Sequence, residues 1–191
     1  MKWLSCCALV VLGGCNSINL SQDGPSAERP WGPASAGLRT AVWTTPSDME
    51  GPGAPQVHVG IENVGESDVI LNLGFMLGNG DKMYPLAVGL VLTDTDGKVQ
   101  RLEYPTPGVG GRVDDFLVAL RAGSMYSLRL ALNEYWVPRE ARLKLGRGTY
   151  RIEARFTGGV ARQINLDTEG IATLRFWKGL LQSNVATFTL R

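Results

Sequence analysis

Three cysteines, one histidine and a few acidic neighbours are the side chains here best suited to attack a substrate, move protons or hold a metal. The cysteines (Cys6, Cys7 and Cys15) all fall within the first fifteen residues of a 191-residue chain. The single histidine, His58, sits in the alternating run Val57-His58-Val59-Gly60-Ile61, on the side opposite Val57, Val59 and Ile61. No Gly-x-Ser-x-Gly elbow offers it an activated serine. One histidine without later cysteines is too little for a zinc site of the usual kind. Asp94-Thr95-Asp96-Gly97 has part of a calcium loop but lacks the other ligands, the distant glutamate included. Between two apolar runs, its Asp-Gly step reads as a hairpin turn. Asp114 and Asp115 are adjacent, so a strand would send them to opposite faces. Nothing marks the cleft that a glycosidase carboxylate pair requires. The expectation is a protein that is not an enzyme, with no cofactor and no metal.

Residues suited to binding are easier to find. Tyr104 to Asp115 holds Pro105, Pro107, Gly108, Gly110 and Gly111, too much glycine and proline for a central strand, and reads as a loop. Asn133 to Arg142 carries Tyr135, Trp136 and Pro138, and such aromatics are enriched at interface centres and at sugar-stacking sites. Tyr104, Gly108, Gly110, Gly111, Tyr135 and Trp136 are therefore the candidate binding-loop residues. The bland alternative is that Tyr135 and Trp136 cap an open end of the fold. Arg129, Arg151 and Arg155 are candidates for one outward face, with Glu153 interspersed. Nucleic acid is an unsuitable partner: 19 Lys and Arg against 18 Asp and Glu leave no broad positive field.

These residues need elements to position them, and the chain divides into three parts. After Met1-Lys2-Trp3, residues Leu4 to Leu12 form a short apolar run. A charged start, a short apolar stretch and small residues make a secretory signal. The run is too short for a permanent membrane span, which needs about 20 apolar residues. Its end, Leu12-Gly13-Gly14-Cys15, resembles the bacterial lipobox. The resemblance implies cleavage between Gly14 and Cys15, a diacylglycerol on the Cys15 sulfur and acylation of the new amine. Two or three chains of palmitate type, at about 0.8 kcal/mol per buried CH₂, would hold the protein to a bilayer. It thus implies an extracytoplasmic lipoprotein of the cell envelope. Asn16 rather than Asp after the cysteine leans toward the outer membrane where the host has one.

Residues 15–37 read as the lipidated cysteine and a flexible linker rich in Ser, Pro, Gly and Ala. Such a coil spans roughly 25–30 Å on average. Trp31 within it is expected to pack loosely on the domain or to stay free of it.

From Leu38 to Arg191 the main signal is period two between turn residues, so residues 38–191 are expected to form one all-β domain. Apolar residues at 44% and charged residues at 19% suit a packed core, and no cysteine remains to staple it. Strands are expected over Gln56 to Val64, Val69 to Leu73, Leu86 to Thr93 and Lys98 to Glu103. Further strands carry Tyr126, Leu128, Leu130 and Leu132 on one face, then Tyr150, Ile152, Ala154 and Phe156, with Val185 to Leu190 last. Arg139 to Leu145 has room for one short helical turn.

Leu145-Gly146-Arg147-Gly148-Thr149-Tyr150 resembles the corner of immunoglobulin-like sandwiches, in which a tyrosine hydroxyl bonds to upstream backbone. Val57 to Gly65 is similar to an early strand and turn of secreted bacterial sandwiches, and Trp177-Lys178-Gly179 with Ser183-Asn184 to their ending. The resemblance implies an antiparallel immunoglobulin-like β-sandwich, with Tyr150 as its structural corner. The chain departs from that pattern in having no inter-sheet cysteine pair and more than the ~100 residues usual for the fold. Extra strands or long loops must fill the difference.

The expected function is a membrane-anchored sandwich that binds or scaffolds a protein or envelope glycan without catalysis. One alternative is a protease inhibitor: Gly108-Val109-Gly110-Gly111 and Arg29-Pro30-Trp31 resemble two loop motifs of chagasin-type inhibitors, although there the Arg-Pro-Trp-like motif comes last. The other is a carbohydrate-binding module using Trp136 and Tyr135.

Overall fold

The computed structural model describes residues 30–45, 55–77, 80, 82–106, 108, 113–138, 141–161 and 175–190. The signal segment, Gly14, Cys15, the linker up to residue 29, Gly110 and Gly111 lie outside the described residues. What is described is antiparallel β structure with no α-helix among the described residues. The strands are β1 (Leu38–Thr45), β2 (Gln56–Asn63), β3 (Val69–Leu77), β4 (Lys82–Tyr84), β5 (Val88–Thr93) and β6 (Val99–Leu102). β7 (Val113–Leu120), β8 (Met125–Ala131), β9 (Trp136–Val137), β10 (Ala141–Arg142), β11 (Gly148–Gly158) and β12 (Gly179–Leu190) follow.

They pair as β1-β2-β8, β4-β3-β7, β12-β11-β5-β6 and the short β10-β9 ribbon. An antiparallel bridge between Glu103 and Trp136 attaches that ribbon beside β6. Alternation explains the core. Val57, Val59 and Ile61 of β2 are wholly buried, as are Ile152, Ala154 and Phe156 of β11, and all join one cluster with Leu90, Leu92, Leu128 and Leu130. Each large side chain so buried contributes about 1.5–3 kcal/mol. The result is an all-β sandwich around a single core.

Two bulges among the described residues shape it. In β3 the pairing with β7 shifts between Asn72 and Phe75. Gly74 sits there at φ +141°, where a Cβ would lie 2.1 Å from the Tyr84 carbonyl oxygen. The buried Asn72 holds the distortion by accepting from the Gly74 N–H and donating to Asp115 and the Val160 carbonyl. In β12, Ser183 and Asn184 together face Ala154 of β11. The Ala154 N–H donates to Ser183 Oγ at 2.8 Å, replacing a ladder bond. The Asn184 amide turns the other way, accepting from the Val42 N–H at 2.8 Å and donating to the Val42 carbonyl at 3.0 Å. One side chain thus stands in for a strand residue and joins β12 to β1.

The hairpin at Asp94 is a turn. Asp94 Oδ1 accepts from the N–H groups of Asp96 and Lys98, and Gly97 adopts φ +80°. At the corner, the Tyr150 hydroxyl donates to the Gly146 carbonyl and accepts from the Gly146 N–H, both at 3.0 Å, while its ring stacks on Phe188.

Several expectations need correction. Ala141–Arg142 is a strand pairing with Trp136–Val137, not part of a helical turn, because the backbone there finds its partners across a ribbon. Val113, Asp114 and Asp115 belong to β7 rather than to the preceding loop. Residues 30–37 are tied to the sandwich: Gly32 N–H donates to Thr40 O, Ser35 and Leu38 exchange bonds, and Trp177 Nε1–H donates to Ala36 O. Trp31 stacks under the Arg39 guanidinium at 4.6 Å, and Arg39 also pairs with Glu62.

Candidate binding site

Tyr104 follows β6 and enters the end of the sandwich between two tyrosines. Its ring meets Tyr135 edge-on at 5.3 Å and Tyr84 edge-on at 6.0 Å, and Tyr84 in turn leans on Phe75 at 4.9 Å. Such edge contacts between aromatic rings contribute about 0.5–1.5 kcal/mol each beyond burial. The Tyr104 hydroxyl donates to Glu134 at 2.9 Å. Burial first, then this bond and the nearby Glu134 charge, push the Tyr104 phenol well above its ordinary value, so it remains a donor.

Tyr135 is not available to a ligand. A single 3-10 turn over Leu132–Glu134 re-aims the chain after β8, and Tyr135 ends wholly buried, its hydroxyl donating to Val88 O at 3.3 Å. Burial raises its phenol too. Trp136 is 43% exposed, while its backbone is held by Glu103 on one side and Arg142 on the other. Gly108 is exposed with open space where a side chain would go. Of the expected loop residues, Tyr104, Tyr135 and Trp136 come together; Gly108 makes no contact that places it with them.

Tyr104 separates two hollows. The larger, about 490 Å³, lies on the outer face of the β5-β6-β11 sheet, over the bare backbone of Gly89 and between Arg101, Arg155 and Leu180. Arg155 there is engaged by Glu153 at 2.9 Å, and Glu153 also accepts from Gln182. The smaller, about 350 Å³, is a slot between β8 and β4, with Tyr104, Phe116 and Glu134 at its back. On the β8 side Tyr126, Ser127, Leu128, Arg129 and Leu130 all line it. Successive strand residues point to opposite faces, so five consecutive residues can share one wall only along the strand's edge. β8 is the outer strand of its sheet, as β4 is of its own. No feature of the sequence announced this slot, because it depends on which strands the topology leaves outermost.

The remaining candidates are scattered. His58 is 5% exposed, stacked flat on Trp43 at 5.2 Å with Nε2 bonded to Thr45 Oγ1 at 2.8 Å. It is packed into a sheet face directly across the ladder from Arg129, and it lines neither hollow itself. Asp114 and Asp115 face Met76 and Phe75 across the ladder. Arg129 lies on β8, in a different sheet from Arg151 and Arg155 of β11, so the three do not share a face. Among the described residues no cluster of His, Cys, Asp or Glu is arranged to hold a metal ion, and no helix is long and apolar enough to cross a membrane.

No protein family matches the chain, and no curated protein sequence does. Two solved structures align with it at low identity. An X-ray structure of a Northeast Structural Genomics Consortium target aligns over 80% of this chain and 86% of its own at 12% identity, with a TM-score of 0.36. A crystal structure of Bacteroides uniformis beta-glucuronidase aligns over 80% of this chain but 13% of its own at 13% identity, with a TM-score of 0.32. Likenesses this distant carry no argument about function.

Proposed function

We propose that this chain is a lipid-anchored extracytoplasmic protein whose immunoglobulin-like sandwich binds a protein or envelope partner without catalysis. The binding role is carried by one observation, the slot where two outer strands face each other across Tyr104, Phe116 and Glu134. The location is supported by Leu12-Gly13-Gly14-Cys15 at the end of the short apolar run. The Tyr150–Gly146 corner supports the immunoglobulin-like assignment.

The reading makes Cys15 the membrane attachment and the sandwich the recognising part. Replacing the thiol by a hydroxyl, as in Cys15→Ser, leaves nothing to accept the lipid. Fractionation of host cells should find the native chain in membranes, with an intact mass exceeding its mature polypeptide by the acyl groups. The variant should leave the membrane fraction. A native chain that washes free in buffer with no added mass overturns the anchor. Photocrosslinking from Met83, which is 48% exposed on the slot wall, should give a discrete adduct in native membranes; no adduct there or from Trp136 overturns the binding role.

A further inference from the structure

The direction of the main chain along β8 says what kind of partner the slot takes. On β1, Val42 presents its N–H and C=O to Asn184, and Thr40 presents its carbonyl to Gly32, both away from β2. Since antiparallel residues alternate in the side to which their backbone groups point, Ala41 bonds toward β2, and its partner Gly60 bonds toward β1. Val57, Val59 and Ile61 then bond toward β8, to Leu130, Leu128 and Tyr126. The Asn63 N–H, which donates to Ser124 O on the same side, agrees with this phase. Ser127 and Arg129 are left with their N–H and C=O groups directed into the slot.

Resting on the binding role proposed above, we infer that the slot receives an extended peptide segment of a partner protein, which adds to β8 as a strand. Backbone donors and acceptors in register are what such an edge recognises, and pockets for alternate side chains supply selectivity. Phe116, Tyr126 and Tyr104 offer an apolar back wall for alternate residues. Exposed Lys82 and Arg129 stand on opposite walls, two cations against the one acid among the lining residues, Glu134. The chemistry therefore fits a segment alternating apolar and acidic residues. An exposed sheet edge is ordinarily a hazard because another sheet can join it. Here β4 and the Tyr104 region wall the edge in, which admits a single strand and keeps out a sheet.

The test uses the full chain in detergent micelles and a fluorescent peptide alternating valine and glutamate. At about 3.4 Å per residue, roughly eight residues overrun the five-residue wall. Saturable binding is expected, weakened about tenfold or more when alternate peptide nitrogens are methylated, which removes donors from one edge while keeping every side chain. Exchanging glutamate for lysine should weaken it similarly. Arg129→Pro removes a slot-facing N–H without touching the β2 ladder, a substitution that outer strands tolerate, and should abolish binding while the far-UV spectrum stays unchanged. If that variant fails to fold, the methylated peptide still decides. Equal binding of methylated and unmethylated peptides overturns the inference. So does absence of peptide binding, and if Met83 still crosslinks to a partner in native membranes, the strand-addition inference alone falls. Failure of both peptide and crosslink removes the binding role with it.

Discussion

The two flanks of the sandwich are finished in opposite ways. Along β1 and β12 the gap between sheets is closed: the Asn184 amide pairs with Val42, Gly32 bonds to Thr40, and Trp177 reaches Ala36. Along β8 and β4 the corresponding gap stays open as a slot of about 350 Å³. The closed flank shows that this chain has ready means to satisfy a bare strand, Asn184 serving Val42 and Gly32 serving Thr40. The open flank is therefore where exposed main chain is compatible with a use, and substitutions on the two flanks should fail differently.

The largest effect is expected on the closed side. Asn184→Ala leaves the N–H and C=O of Val42, itself 2% exposed, without their partners. Each buried backbone group so stranded costs about 1–3 kcal/mol, so for the two together denaturant unfolding should report a loss of about 2–6 kcal/mol. A loss within experimental error would mean that the flank is not held by this amide.

A smaller, pH-dependent effect belongs to the tyrosines beside the slot. Burial raises the Tyr135 and Tyr126 phenols above the ordinary value, and burial with Glu134 raises Tyr104. In the unfolded chain these groups ionise near pH 10. Above that pH the unfolded state binds fewer protons than the folded one, so stability falls as pH rises and is intact below it. For fully buried Tyr135 the slope should be about 1.4 kcal/mol per pH unit. Tyr135→Phe should remove that share of the fall and leave that of Tyr104 and Tyr126, at a cost near neutrality of about 0.5–1.5 kcal/mol for the lost bond to Val88. Melting curves from pH 8 to 11, an interval chosen about that ionisation, would check the sign.

The smallest change in stability belongs to the open edge. Arg129→Ala, at an exposed site with its main chain unaltered, should shift stability by no more than about 0.5 kcal/mol while weakening capture of the acidic peptide. Thermal melting and peptide titration on one sample would separate the two. A large loss of stability would turn the slot from a binding feature into a structural one.

Much of the fold was legible because β2, β8 and β11 alternate apolar with smaller or polar residues along the sequence. Where a bulge inserts a residue, the alternation changes phase and the pattern fades. That is why β3 reads only to Leu73, just before Gly74, and why β12 reads only from Val185, just after Ser183-Asn184. β7 opens with Val113-Asp114-Asp115, whose charges hide a strand. Composition drew attention to Tyr104, Tyr135 and Trp136, and they do gather at one end, but it could not foresee the 3-10 turn that carries Tyr135 inside. The slot was illegible for a deeper reason. Every residue carries the same backbone donor and acceptor, so only topology reveals which strand lacks a neighbour.

The attachment of residues 30–37 has a mechanical consequence. Any pull on the chain ahead of Pro30 meets the Gly32–Thr40 bond, the Ser35–Leu38 pair and the Trp177–Ala36 bond. Beyond these, the Gly37 carbonyl accepts from the N–H groups of both Val64 and Gly65. Tension therefore spreads over β1, the β2–β3 turn and the segment entering β12 instead of unzipping one strand from its end. A domain loaded in this way can be pulled ahead of Pro30 while the far edge keeps its shape.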